Sequence, residues 1–523
     1  MDTEVTLRTG DMIALGIYLV VIIWLGVRSA VKSTDTEGYF FGGRSMPGWA
    51  VAISVLGTAI SSVTFLAYPG SAYSGNWSLL AQGLAIPIPA IITVLFIVPF
   101  YRRHTFNSAY EYFEHRFGTT WPRTYSSILW TLSQVWRMGS ILYLLVIPFK
   151  AMTGWDYPTT ILAVGMFVTL YTVIGGIEAV IWTDAIQTVV LILGGIVCVI
   201  TVFVQIDGGP NTVLTTGADE DKFSINLTLT DFSLVRNTFW AIMLSGIINN
   251  FHEFGVDQTK IQRYAAPKTK RGAVNAVWTG ALGAIPVWTL FMFVGTCLYV
   301  FYQRNPALLP EGMKSDAIFP YFILHQVPEG LGGFVIAAVL GAAMSSLDSS
   351  LNGTSSTVTN DLFRQRVFKG RSDRFYLNLA RVLTFALAGT MMLLAYTLTL
   401  ANTDTFLELG LTVAGLMSGG LGGMFFLAFF TTRANNLGII FGIIAGVILS
   451  VYMVIAEAGG VPMTSIEVEG LPKLVAKLLF GAVANCLVVM LGYFVSYLAP
   501  APTRESLTNL TWWTMTEEKA SAE

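Results

Sequence analysis

Thirteen apolar stretches, each near or above the roughly 20 residues that an α-helix needs to cross a bilayer, dominate this chain. They fall at residues 11–29, 47–72, 78–101, 123–149, 158–175, 179–204, 238–263, 272–302, 327–362, 376–399, 404–430, 436–456 and 474–499. Lipid offers no hydrogen-bond partners to a bare backbone, so each stretch must satisfy its own N–H and C=O groups as a helix. The expected fold is therefore an all-α polytopic membrane protein with about 13 transmembrane helices. Composition agrees: 54% of the residues are apolar and 12% charged, about half the charge of a soluble chain. A soluble enzyme with one or two cores does not fit. Nor does a nucleic-acid binder, since the net charge is −2 and no basic domain stands out.

Cys198, Cys297 and Cys486 all lie inside apolar stretches and no CxxC occurs, so neither a zinc site nor a disulfide framework is expected. The first stretch lacks a basic leader and a small-residue cleavage site, and reads as a retained helix. Ser108–Phe117 is too polar to span and reads as a short interfacial helix. Lys and Arg set the orientation. With the N-terminus outside, twenty of them fall on the inner side, Lys260 and Arg263 included, and eight on the outer. The C-terminus is then cytoplasmic, with a polar tail after Pro502 expected to be mobile. No Walker A, TVGYG, HExxH or GxSxG sequence is present, which argues against an ATPase, a potassium channel and the common hydrolases. A secondary transporter remains.

Polar residues deep in a span are costly and point to function. Gly57, Thr58, Ser61, Ser62 and Thr64 interrupt the second stretch at its middle. Unwound backbone there exposes carbonyls of the kind that coordinate sodium, although small residues also permit close helix packing. In the ninth stretch Ser345, Asp348 and Ser349 share one helical face, with Ser346 beside them. They offer hydroxyls and a carboxylate to a hard cation. Asp184 is a second cation ligand, a proton acceptor or the partner of a buried arginine. Arg137 lies roughly 20 Å from either end of its span at 1.5 Å per residue, too far to reach water easily. Its planar, permanently charged fork suits a carboxylate, from a substrate or from an internal acid. Asn249, Asn250, His252, Glu253 and Asp257 make a second polar break in the seventh stretch, five spans after the first. That spacing fits two five-helix halves, each opening with a broken helix.

Four ordered motifs then carry a resemblance: GYFFGGRSMPGW before the second span, GGIEAVIWTDAIQ around Asp184, DQTKIQRY ending the seventh span and SSLDSSLNGTSSTVTNDLF in the ninth. Together they resemble the sodium:solute symporter family, over roughly residues 10–500. The resemblance implies the five-plus-five inverted repeat of the LeuT type, with one helix before it and two after. Within the family the chain most resembles the bacterial sialic acid symporters. Arg137 occupies the position of their carboxylate-holding arginine, and Ser61 and Thr64 match hydroxyl residues of the substrate site. Gln82 lies one residue from the position of the substrate-binding glutamine, where an ungapped count has Gly83.

The resemblance also implies ion sites. The principal sodium site would use the carbonyls of Gly57, Ile60 and Ala342 and the hydroxyls of Ser345 and Ser346. A second sodium site would use Asp184, Ser345, Asp348 and Ser349, with Asp348 standing where those relatives have a serine. The expected organisation is a single transporter domain over residues 1–499: a first extra helix at 11–29, repeats at 47–204 and 238–430, two further helices at 436–499, and a tail at 500–523. The expected activity is sodium-coupled import of sialic acid or a similar carboxylated sugar across the cell's inner membrane. Arg137, Ser61, Thr64, Gln82 and Asn250 would contact the substrate, and the alternative cargo is a neutral sugar (glucose or galactose) or a small solute such as a monocarboxylate. The partners implied are sodium, a small-molecule substrate and the bilayer. No nucleic acid and no obligate protein partner are indicated.

Overall fold

The computed structural model describes residues 7–30, 34–60, 62–225, 228, 230–233, 238–400, 420–457 and 479–515. The main helices are α1 (Thr9–Ala30), α2 (Gly48–Ala59), α3 (Ser62–Ser74), α4 (Leu80–Arg103), α5 (Glu111–Phe117), α6 (Trp121–Thr153), α7 (Tyr157–Gln205), α8 (Phe239–Gly255), α9 (Gln258–Ala265), α10 (Lys270–Arg304), α11 (Leu331–Thr357), α12 (Asp373–Leu400), α13 (Leu421–Phe430), α14 (Asn436–Glu457) and α15 (Phe480–Val495). Among the described residues, nine helices are long and apolar enough to cross a membrane. The bent pair α2–α3 makes a tenth. The 49 residues of α7 would extend about 74 Å at 1.5 Å per residue, more than twice a hydrocarbon core of roughly 30 Å. Gly176 divides it, with φ +59° and ψ −155°. A Cβ there would sit 2.6 Å from the Tyr39 carbonyl oxygen, so only glycine fits the bend. Most of the expected span 404–430 lies outside the described residues; α13 is its described end.

Two helices are broken at the polar positions. The second stretch separates into α2 and α3, bent by 50°, with Ile60 extended at φ −109° and ψ 108°. Gly57 allows α2 to lie against α7, because a Cβ there would be 2.3 Å from Thr188 Oγ1. The seventh stretch separates into α8 and α9. Asp257 starts α9 by accepting the Thr259 N–H at 2.8 Å, an N-cap that draws one of the helix's unpaired donors. Both broken helices pack against α10, and α11 runs through the middle of the molecule with every residue from Val335 to Thr357 buried. The run of Gly, Ala and Ser in α11 permits this: a Cβ on Gly194 of α7 would be 2.7 Å from the Ala338 Cβ. The exposed faces are apolar, as lipid requires; α1 turns Ile13, Ile17, Val20, Trp24 and Val27 outward.

Three expectations need correction. Arg116, Arg123, Lys260 and Arg263, assigned to inner loops, are buried. Arg116 caps α13, donating to the carbonyls of Ala428 at 2.8 Å and Thr431 at 3.0 Å. Arg123 pairs with Asp361 at 2.6 Å and Glu114 at 2.9 Å. Setting apart the cations that are buried among the described residues, Lys222 with these four, changes the expected twenty against eight to sixteen against seven. The segment expected to lie at the lipid surface forms helix only over α5, and its Tyr112, Phe113 and Phe117 are buried in the protein. The tail is docked rather than mobile over residues 500–515: Leu507 is buried, the Trp513 indole donates to the Phe430 carbonyl at 2.8 Å, and Trp512 meets Phe96 edge-on at 4.3 Å. Aromatic and leucine side chains interleaved among polar residues anchor it. Cys198 and Cys297 are buried as expected, whereas Cys486 is exposed on α15.

Candidate functional site

Where α2 breaks, it faces α11. Ser345 Oγ lies 3.3 Å from the Gly57 carbonyl and 3.2 Å from the Ala342 carbonyl. Ser346 Oγ is buried beside them with no hydrogen-bond partner among the described residues. A buried hydroxyl without a partner is costly. An oxygen-preferring cation at this junction would satisfy it. Ile60, the extended residue ending α2, belongs to the same break.

One turn further along α11 the chemistry changes. Asp184 of α7 is fully buried, and its Oδ2 pairs with Arg263 Nη2 at 2.8 Å. Ser54 of α2 donates to the same oxygen at 2.5 Å and accepts from Arg263 Nε at 2.8 Å. Arg263 also donates to Ser349 Oγ at 2.6 Å. Of the readings open for Asp184, the structure therefore shows a buried arginine partner. Its Oδ1 has no partner among the described residues. Asp348 accepts from Tyr171 at 2.7 Å and more weakly from Ser349 at 3.3 Å. Both carboxylates lie within electrostatic reach of the Arg263 guanidinium, and Asp184 also within reach of buried Lys260. Sequence reasoning missed Arg263 and Ser54. The signal for Arg263 was present, since it falls within the apolar stretch 238–263 and yet was counted with the loop beyond it.

The residues expected at the substrate line an adjoining region. Arg137 is half-buried on α6 and makes no hydrogen bond or ion pair among the described residues. It lies within electrostatic reach of His252, Asp257 and Lys260. Asp257 itself is engaged by Trp130 Nε1 at 3.0 Å and Gln134 at 3.4 Å. Gln82 lies at the start of α4 against α8: a Cβ on Gly246 would be 2.9 Å from the Gln82 carbonyl. Asn250, one turn along α8, turns its amide back to the Gly246 carbonyl at 2.7 Å. Gly83 has no room for a side chain, since its Cβ would be 2.6 Å from the Trp288 ring. Thr64 is buried on α3. Ser61 lies outside the described residues.

The family model for sodium:solute symporters matches residues 39–446. This chain belongs to the sodium:solute symporter family. It is 33% identical over 434 residues to the sodium/sialic acid symporter SiaT of Proteus mirabilis (strain HI4320), covering 82% of this chain and 86% of that protein. Among solved structures, it is similar to a substrate-bound, outward-open Na+-coupled sialic acid symporter described as having a novel Na+ site. There the TM-score is 0.85 at 31% identity, over 95% of this chain and 99% of the other. The nucleobase-cation-symport-1 family transporter Mhp1, in a closed conformation, shares the fold at 15% identity and TM-score 0.53, over 90% of this chain and 97% of its own. The protein is thus a multi-pass membrane transporter of the LeuT type, coupled to sodium, and not an enzyme.

Proposed function

We propose that this symporter carries sialic acid or a similar carboxylated sugar into the cell across the inner membrane, with its N-terminus outside. The observation that carries this reading is Arg137, a guanidinium midway along a spanning helix with no acid bonded to it among the described residues. An unpaired charge at that depth is costly, and a substrate carboxylate answers it with two parallel hydrogen bonds. Thr64, Gln82 and Asn250, together with Ser61, would meet the sugar's hydroxyl and amide groups. The likeness to the Proteus sialic acid symporter supports the same substrate class.

Sodium binds first in this scheme, at the carbonyls of Gly57, Ile60 and Ala342 and the hydroxyls of Ser345 and Ser346. Holding the α2 break against α11 fixes the pocket beside it. Each sodium moving inward gains roughly 2.3 kcal/mol per 100 mV of membrane potential. Coupling requires that sodium and sugar each raise the other's affinity. Substrate occupancy then favours outer closure, and the repeats rock to face inward.

The deciding experiment is isotope uptake into proteoliposomes, with and without a sodium gradient, across sialic acid, glucose, galactose and a monocarboxylate. Sodium-driven accumulation of sialic acid alone is expected; accumulation of glucose or galactose instead would refute the carboxylate reading. Ser345→Ala and Ser346→Ala should each raise the half-saturating sodium concentration by about tenfold, because each removes one of the five oxygen ligands; tenfold corresponds to about 1.4 kcal/mol. Unaltered sodium dependence in both would place the ion elsewhere. We also assign Asp184, Asp348 and Ser349 to a second cation site. Asp348→Ser should lower the charge moved per sugar, read as a shifted reversal potential, and an unmoved potential would make Asp348 structural.

A further inference from the structure

The helix that carries Asn250 has an acidic residue that neither the ion sites nor the carboxylate clamp uses. Glu253 lies three residues beyond Asn250 on α8, and residues at that spacing share a helix face. Its carboxylate is 32% exposed, while Lys260, to which its Oε1 lies 3.5 Å away, is 1% exposed. No hydrogen bond engages Glu253 among the described residues. Tyr68 of α3 and Tyr264 of α9 are both within electrostatic reach of the carboxylate.

A buried group without a hydrogen-bond partner among the described residues flanks the same tyrosine. Trp288 of α10 has its ring 6.0 Å from that of Tyr68, and its buried indole N–H has no acceptor among the described residues. The same indole closes over Gly83, next to Gln82. A partly exposed acceptor and a buried orphan donor therefore both lie near Tyr68. Tyr68 is itself one helical turn from Thr64. A polyhydroxylated ligand supplies both the missing donor and the missing acceptor.

We infer that Glu253 is a second recognition arm of the substrate pocket, accepting hydrogen bonds from hydroxyl or amide N–H groups of a carboxylated sugar whose carboxylate Arg137 holds. Lys260 keeps the arm charged and fixed. Its Nζ also donates to the Val55 carbonyl at 3.3 Å, on the same helix as Gly57, so the arm is braced by the element that carries the sodium-binding carbonyl. This rests on the substrate class proposed above. It adds the residue that distinguishes a hydroxylated acid from a small carboxylate.

The test uses the full-length protein in proteoliposomes, with sialic acid as the probe. Glu253→Gln should raise KM at least tenfold, with maximal rate and half-saturating sodium within about twofold of the parent. Lys260→Met alone should also raise KM. The double variant Glu253→Gln/Lys260→Met separates recognition from charge balance. If Glu253 touches the sugar, KM stays raised in the double variant; if it only neutralises Lys260, KM returns to the parent value and the inference is overturned. A parent-like KM in Glu253→Gln overturns it as well. Should Glu253→Gln fail to fold, Glu253→Asp keeps the charge but withdraws it by one methylene, and a raised KM there supports the same conclusion while a parent-like one counts against it. If the parent carries no acidic sugar at all, the substrate reading fails, and the same variants are then measured on whichever solute it does carry.

Discussion

Arg137→Ala is expected to abolish uptake of a carboxylated sugar while leaving sodium binding intact. Truncating one member of a desolvated, hydrogen-bonded charge pair costs roughly 2–5 kcal/mol, or roughly 30- to 4,000-fold in affinity at 1.4 kcal/mol per decade. The guanidinium has no hydrogen-bonded partner among the described residues, and Asp257, the acid within its electrostatic reach, keeps its hydrogen bonds from Trp130 and Thr259 without it. Sodium-induced thermal stabilisation should therefore persist in the variant, with sugar-induced stabilisation lost. Arg137→Lys should fall between the two, because an ammonium keeps the charge but not the planar fork. Retained uptake in Arg137→Ala would remove the anionic-substrate reading outright.

Arg263→Met should have the largest effect on stability. The guanidinium is fully buried and holds Asp184, Ser54 and Ser349 together. Removing it leaves a carboxylate at zero exposure without its counter-charge. Breaking a buried pair in this way costs about 3–5 kcal/mol. Adding Asp184→Asn to Arg263→Met should recover most of the loss in thermal unfolding, since a neutral pair has no uncompensated charge to bury. Sodium coupling should not recover with it, because the amide supplies a weaker oxygen to the second cation. A single Arg263→Met variant that unfolds at the parent temperature would show that Asp184 is already neutral in the folded protein.

The helices and their breaks were legible because lipid imposes simple rules. An apolar run of spanning length has one available structure, and a hydroxyl or carboxylate inside it needs a reason. Gly57, Arg137, Asp184, Asp348 and the 345–349 face all stood out on that ground alone. The clusters they enter were less legible. Lys260 and Arg263 follow the second break by only a few residues, and a count of loop charges took them for cytoplasmic anchors. Whether a cation near a span end reaches water or folds back into the interior depends on how α9 packs, and no pattern within eight residues carries that information. The tail misled for the opposite reason: its polar residues suggested solvation, but Leu507 is buried, and Trp512 and Trp513 find partners on α4 and α13, more than 70 residues away in the chain.

By itself, then, the sequence determined that this chain lives in a bilayer, where its helices lie and which residues are too polar to be there idly. All of that follows from burial costs that each residue meets locally. Only the tertiary structure decided the pairings. Arg263 sits on Asp184 while Arg137 is left open, although both are arginines beside membrane-buried acids. The difference is geometric: α9 brings one guanidinium within 2.8 Å of its acid, whereas Asp257, an acid within electrostatic reach of the other, is already taken by Trp130, Gln134 and Thr259.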